Sequence, residues 1–418
     1  MTVKPLNKLS GVYTVPGDKS ITHRALILNA LAEGSATLRG AYTGAEIIAT
    51  AAGMEALGVK IVFDGAVVRI KGKPKIKSGA VLDFGCSGTA LRLMAGYLCG
   101  AGVSAKLSCA RKQSKLERIE QPLADMGARL VRKDGAPAEI KPAHLRGIEY
   151  TLPGGAAQTK GALLLAGLNA EGATVLHEPA PSRNHTELML AAMSADIKFS
   201  RGRIEIKKSN AGLKSIDVDI PGDLSAAANL IVMATVLQGS GIVIKNVGIN
   251  RTRRAAIDII NSSGGNITLL NKRKFGEEPA ADLFVQSAWL LPFNVGGAAA
   301  ADEVPALAVL ACFCDGTSVF RNMAHLKERE NNRLRLTVNM LKAMGANVRE
   351  TEDGMVIRGG GVLTGGCKID AEGDRVVTAA AAVAAAVSVD GAEIENPAES
   401  AFIFYPAEIN STRKTAKD

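Results

Sequence analysis

The chain has 418 residues, 47% of them hydrophobic and 22% charged. That balance fits a folded protein of two or three domains and excludes a disordered, collagen-like or disulfide-scaffold chain. Fifty Lys and Arg against 41 Asp and Glu leave a net charge of +9, suited to a phosphorylated ligand or to nucleic acid, while 4% aromatic residues make a single-stranded nucleic-acid platform the weaker reading.

In chain order, Met1 to Pro5 lacks the apolar core of a signal peptide. Ser20 to Leu31 has helical spacing and stops at Gly34. Ala36 to Leu38 reads as a strand, and Ala45 to Leu57 as a helix stopped by Gly58. Val59 to Phe63 and Ala66 to Ile70 form a hairpin about Asp64-Gly65. The same order starts again near Ser87, Ala157, Leu224, Glu303 and Asp374, with glycine stops at Gly100, Gly172, Gly239, Gly316 and Gly391. Copies recur at roughly 65 to 80 residues, too long for the common solenoids. Six βα-type units therefore suggest two globular halves of three copies each. Cys312 and Cys314 have no second ligand pair at zinc spacing. The longest apolar run, Val376 to Val389, is shorter than the about 20 residues a bilayer crossing needs. It reads as a buried Ala-rich helix, and the expectation is a cytoplasmic protein with no membrane or nucleic-acid partner.

Pro16-Gly17-Asp18-Lys19-Ser20-Ile21-Thr22-His23-Arg24 opens the first helix. A helix N-terminus offers free N–H groups to an anion, and Lys19 and Arg24 would add charge. A capped helix with solvated basic residues explains the segment equally well, and the segment alone leaves both readings open.

The wider chain adds Gly85 to Arg92 (GCSGTALR), Gln158 to Leu168 (QTKGALLLAGL), Ser182 to Glu187 (SRNHTE) and Asp302 to Val309 (DEVPALAV). With the first segment, in this order and over nearly the whole length, these motifs resemble the 5-enolpyruvylshikimate-3-phosphate (EPSP) synthase family. The resemblance implies an α/β fold of two inside-out domains, each of three βαβαββ repeats. Residues 1–17 and 224–418 would form one domain and 18–223 the other, with the ligand cleft between them. It implies transfer of the enolpyruvyl group of phosphoenolpyruvate to the 5-hydroxyl of shikimate 3-phosphate, with release of phosphate. Small-molecule substrates, no metal or organic cofactor, and a monomer are expected.

Residue by residue, the resemblance makes Lys19 a phosphoenolpyruvate contact that assists proton transfer. Ser20, Arg24 and Ser182 become ligands of shikimate 3-phosphate, Gly88 and Thr89 line the phosphoenolpyruvate loop, and Gln158 lies between the two ligands. Asp302 becomes the base for the 5-hydroxyl and Glu330 the second proton-transfer carboxylate. Arg333 and Arg375 grip the phosphoenolpyruvate carboxylate, and Arg329 falls on a family lysine. Paired guanidinium forks suit a carboxylate.

Several positions depart from the family pattern. Cys86 replaces a loop asparagine, Ser114-Lys115-Leu116 replaces R-P-M, and Ala156 or Ala157 replaces a serine. Gly373-Asp374-Arg375 lacks the histidine of D-H-R, and Ile403 replaces a lysine. Lys112, Lys115 or Arg118 is a candidate substitute for the lost arginine, and Lys327 is a further candidate cation. The alternatives to the family reaction are a diverged paralogue with another acceptor or a phosphate-free substrate, and a non-catalytic binding paralogue.

Overall fold

Among the described residues six helices have almost no exposed polar face, and they decide where everything else lies. In Val304–Ala311 all eight residues are buried; in Lys19–Leu31 burial is unbroken from Ile21, and in Arg375–Ala386 from Val377. Gly88–Gly100, Ala157–Gly167 and Leu224–Val236 are similarly enclosed. A helix that is apolar all round must lie inside the protein, so the sheets form the outer layer. The computed structural model describes residues 1–72, 78–85, 87–108, 116–132, 137–208, 212–296, 300–327 and 331–399. Among these no helix is long and apolar enough to cross a membrane.

The chain divides into two compact units. One comprises Met1–Pro16, Gly222–Arg273 and the described residues from Pro279 onward; the other comprises Gly17–Pro221 with Lys274–Glu278. Among the described residues each contains three sheets. In the second unit, Ala80–Asp83 runs parallel to Ala105–Ser108, which pairs antiparallel with Ala138–Lys141 and through it with Arg129–Val131. The Gly88–Gly100 helix makes the parallel crossover, and Glu117–Asp125 precedes the hairpin. This is one βαβαββ unit. Glu149–Thr151, Ala173–His177, Arg203–Lys207 and Asp196–Ser200 repeat it. So do Ser35–Arg39, Val67–Lys71 and Lys60–Asp64, whose parallel partner Val218–Asp219 comes from the far end of the unit.

The first unit follows the same plan. Ser10–Tyr13 runs parallel to Gly241–Gly248, and Asn294–Gly296 to Thr317–Arg321, each followed by an antiparallel pair. The last sheet differs from the repeat. Cys367–Asp370 and Ala392–Glu395 are parallel, and their antiparallel neighbour is Thr2–Val3 from the start of the chain. The last copy borrows a strand from the opposite end of the sequence, a pairing no local pattern reveals.

The Asp64-Gly65 hairpin forms as expected, with Gly65 in the left-handed region at φ +56°. Gly100 does not act as a helix stop. It is the last helical residue, and Gly102 makes the left-handed turn at φ +64°. Gly100 instead lets two helices touch: a Cβ there would lie 2.5 Å from the Ala166 carbonyl oxygen, and one on Gly96 only 2.0 Å from that of Ala162. Backbone lies on the other side, so nothing can move aside cheaply.

Gly96→Ala should therefore destabilise the protein by about 2 kcal/mol or more, since overpacking outweighs the gain in helix propensity. Gly154→Ala, where a Cβ meets open space, should be close to neutral. Urea denaturation of the two variants compares them directly, and equal midpoints would contradict the close-approach explanation.

Candidate active site

With the helix flanks buried in carbon, polar chemistry is left to the helix ends. In the second unit, Asp18 caps Lys19–Leu31 by accepting from the Ile21 N–H at 2.9 Å, and Ser87 caps Gly88–Gly100 by accepting from that of Ala90 at 3.2 Å. His23, one turn in, joins these helices. Its ring nitrogens lie 3.1 Å from Thr50 Oγ1 and 3.3 Å from Ser87 Oγ. Complete burial, with Lys19 and Arg24 nearby, pushes the imidazole well below its ordinary value, so it is neutral at pH 7.

Around this junction the structure gathers the candidates of the second unit. Lys19 pairs with Glu46 at 2.7 Å. Arg24, 2% exposed, donates to Thr186 Oγ1 at 2.7 Å and to the Ser20 carbonyl at 3.0 Å. Burial lowers its guanidinium to about 10 against the opposing pull of Glu187, which leaves it fully charged at pH 7. Arg183 reaches Ser20 Oγ at 3.4 Å. Gln158, in the first turn of Ala157–Gly167, donates to Thr89 Oγ1 at 3.0 Å and accepts from Arg92, which also donates to the Gly88 carbonyl at 3.2 Å. Ala156 gives that helix no side-chain cap.

Ser182 is held by Glu178, which accepts from both its N–H and its hydroxyl. Lys160 supplies the counter-charge to Glu178. Its ammonium is fully buried, 2.9 Å from Glu178 and 2.7 Å from Glu187. Burial raises the Glu187 carboxyl above its ordinary value, and Lys160 works against that rise.

In the first unit, carboxylates and guanidiniums alternate. Asp302, just before Val304–Ala311, accepts from Arg333 at 3.3 Å through Oδ1, and its Oδ2 lies 4.0 Å from Arg253. Arg333 also donates to Asp374 at 3.0 Å. Asp374 caps Arg375–Ala386 by accepting from the N–H groups of Val376 and Val377. Arg375 opens that helix, half-buried. Arg333 thus arrives already holding two of the protein's own carboxylates. Lys327 is committed elsewhere, to the carbonyls of Thr351 and Glu352 and the carboxylate of Glu350. Arg329, Glu330, Cys86, Lys112, Ser114, Lys115 and Ile403 lie outside the described residues. Among those described, no group of three or more His, Cys, Asp or Glu side chains could hold a metal ion.

The EPSP synthase (3-phosphoshikimate 1-carboxyvinyltransferase) family model matches residues 3–402. The chain belongs to this family. It is 39% identical to the 3-phosphoshikimate 1-carboxyvinyltransferase of Synechococcus sp. strain WH7803, over 97% of this chain and 95% of that protein. It is 38% identical to the one of Thermoanaerobacter sp. strain X514, over 97% of each. The solved EPSP synthase of Acinetobacter baumannii superposes with a TM-score of 0.85 at 32% identity, covering 98% of this chain and 97% of that one. The two-domain enolpyruvyl transferase fold expected from the motifs is thus the fold observed.

Several residues built into these clusters lie outside the roles that the family motifs imply. Arg92 and Arg183 stood inside the quoted motifs GCSGTALR and SRNHTE, where their charge was the available signal. Lys160 and Arg253 gave none, because their partners are remote in the chain.

Two outcomes follow from the buried charges of the second unit. Lys160→Met strands two carboxylates and should cost about 3–5 kcal/mol, read as a lower urea midpoint; an unchanged midpoint would mean that the pair is not balanced by this lysine. His23 is neutral when folded and chargeable when unfolded. It therefore withdraws stability as pH falls below about 6.5, by up to about 1.4 kcal/mol per unit, until its depressed folded value is reached. His23→Asn should lose less stability between pH 7.5 and 5.5 than the parent; parallel curves would show that His23 does not titrate differently on folding.

Proposed function

We propose that the chain transfers the enolpyruvyl group of phosphoenolpyruvate to the 5-hydroxyl of shikimate 3-phosphate and releases inorganic phosphate. It acts as a monomer in the cytoplasm on these small-molecule substrates. The observation that carries this reading is the Asp302–Arg333 pair in a chain matched almost end to end by the family model. Net replacement of phosphate by the acceptor's 5-hydroxyl oxygen at C2 of phosphoenolpyruvate needs a base for the hydroxyl and a cation that fixes the pyruvyl carboxylate. Here the two are adjacent.

The residues divide the task by chemistry. Arg24, Arg183, Ser20 and Ser182 offer cations and hydroxyls to the phosphorylated acceptor; Gln158, held by Arg92, supplies an amide and Thr89, held by Gln158, a hydroxyl. Lys19, opposite Glu46, serves the donor and its proton transfer. Arg333 and Arg375 take the donor carboxylate, for which a guanidinium fork gives two parallel hydrogen bonds. Asp302 accepts the 5-hydroxyl proton, and Glu330 is the second carboxylate for proton transfer. A carboxylate held between two guanidiniums stays ionised, as a base must be before the reaction starts. The paralogue alternatives have no specific observation in their favour.

Phosphate release from the purified protein should require both phosphoenolpyruvate and shikimate 3-phosphate. Asp302→Ala should lower kcat by about 10² to 10⁴, the usual contribution of a general base. A folded parent protein that releases no phosphate would refute the reaction, and an active Asp302→Ala would refute the base.

A further inference from the structure

Arg253 belongs to none of the family motifs, yet it lies at the centre of a buried charge cluster of the first unit. It stands in the turn before the Ala255–Ser262 helix, 4% exposed. One terminal nitrogen is 3.0 Å from Asp223 and donates to Ser225 Oγ at 2.9 Å. The other is 3.3 Å from Glu303 and 4.0 Å from Asp302. Ser225 donates in turn to Glu303, whose side chain is fully buried. One guanidinium therefore ties the first turn of Leu224–Val236 to the start of Val304–Ala311, where Asp302 is carried.

The Asp302 carboxylate has a different arginine at each oxygen. Arg333 is at Oδ1 and Arg253 at Oδ2. The proposed reaction calls Arg333 to the donor carboxylate, which weakens its hold on Oδ1 when substrate is bound. Arg253 is instead fixed in place by Asp223, Ser225 and Glu303. Among the described residues, the charged groups placed around Asp302 are Arg253, Arg333, Glu303, Asp223 and Asp374, from five separate elements. Two cations among three neighbouring carboxylates leave Asp302 sensitive to the loss of either cation.

We propose that Arg253 is the positioning residue for Asp302, keeping its carboxylate aimed and ionised while Arg333 is occupied by substrate. The inference rests on Asp302 being the base. Arg253 touches no reacting atom. It acts through Asp302 directly and through the Glu303–Ser225 bridge that fixes the helix end.

The test is the pH dependence of kcat, from phosphate release at saturating phosphoenolpyruvate and shikimate 3-phosphate, where the acid limb reports the base in the loaded enzyme. Arg253→Gln should lower kcat at least about tenfold and move the acid limb up by about one pH unit, since a cation within about 4–6 Å depresses a carboxylate by about 1–3 units. KM for phosphoenolpyruvate should change less than about twofold, as expected when uniform substrate binding is untouched. Arg253→Lys should restore the limb. Glu303→Gln removes a negative charge beside Asp302 and should move the limb in the opposite direction, downward; it also carries the test if Arg253→Gln does not fold. A role confined to stability would lower the melting temperature and move neither limb. Unmoved limbs in folded variants, or a large rise in KM at unchanged kcat, would overturn the proposal. Asp302→Asn separates the two levels: if it retains turnover, the base assignment itself fails; if it is inactive while the limbs stay fixed, only the role of Arg253 fails.

Discussion

Helices apolar on every side set the terms for this protein. Such a helix cannot turn a flank to water, so its polar N–H groups and any charged residue are confined to its ends. Asp18, Ser87, Asp223 and Asp374 each accept from first-turn N–H groups. The candidate functional residues crowd the same helix ends, within the first two turns: Lys19, Ser20 and Arg24 on one helix, Gly88, Thr89 and Arg92 on a second, Gln158 on a third, Asp302 and Arg375 at the ends of two more. The close contact of Gly96 and Gly100 with the Ala162 and Ala166 backbone belongs to the same design. It brings the Gly88–Gly100 and Ala157–Gly167 helices near enough for Arg92 and Thr89 to share the Gln158 carboxamide.

The two units solve the problem of buried charge differently. In the second, Lys160 lies between two carboxylates and Arg24 beside a hydroxyl and a carbonyl, so cations, hydroxyls and an amide predominate among the candidate ligands. In the first, four carboxylates surround two guanidiniums. Burying one unpaired charge costs several kcal/mol, which is why every member of either cluster has a partner of opposite sign or a hydrogen bond. The first composition suits phosphate and hydroxyl ligands; the second suits proton transfer and the exchange of one carboxylate for another at an arginine.

That second property gives Asp374 a meaning its sequence position did not suggest. In the motif it appeared only as the survivor of a tripeptide that has lost its histidine. In the structure it caps Arg375–Ala386 and also takes the Nε of Arg333. The arginine is thus held in place by a residue 41 positions away. Lys327 shows the reverse case. As a spare cation it was a candidate substitute, and the loop carbonyls of Thr351 and Glu352 occupy it.

What the sequence determined by itself was whatever is written locally or repeated. The helix starts near Lys19, Gly88, Ala157, Leu224, Val304 and Arg375, the Asp64-Gly65 hairpin and the six-fold order of elements follow from apolar spacing, caps and glycines within a few residues of each other. The motifs around Lys19, Gln158, Ser182 and Asp302 were legible because their residues are contiguous and specific. The tertiary structure alone decided the strand that Thr2–Val3 lends to the last sheet, the use of Gly100 as a contact rather than a stop, and the pairing of charges. Lys160 with Glu178 and Glu187, Arg253 with Asp223 and Glu303, and Arg333 with Asp302 and Asp374 join residues brought together only by helix packing. Electrostatic pairing depends on distance through space, and a one-dimensional pattern carries no record of it until the apolar faces have been buried.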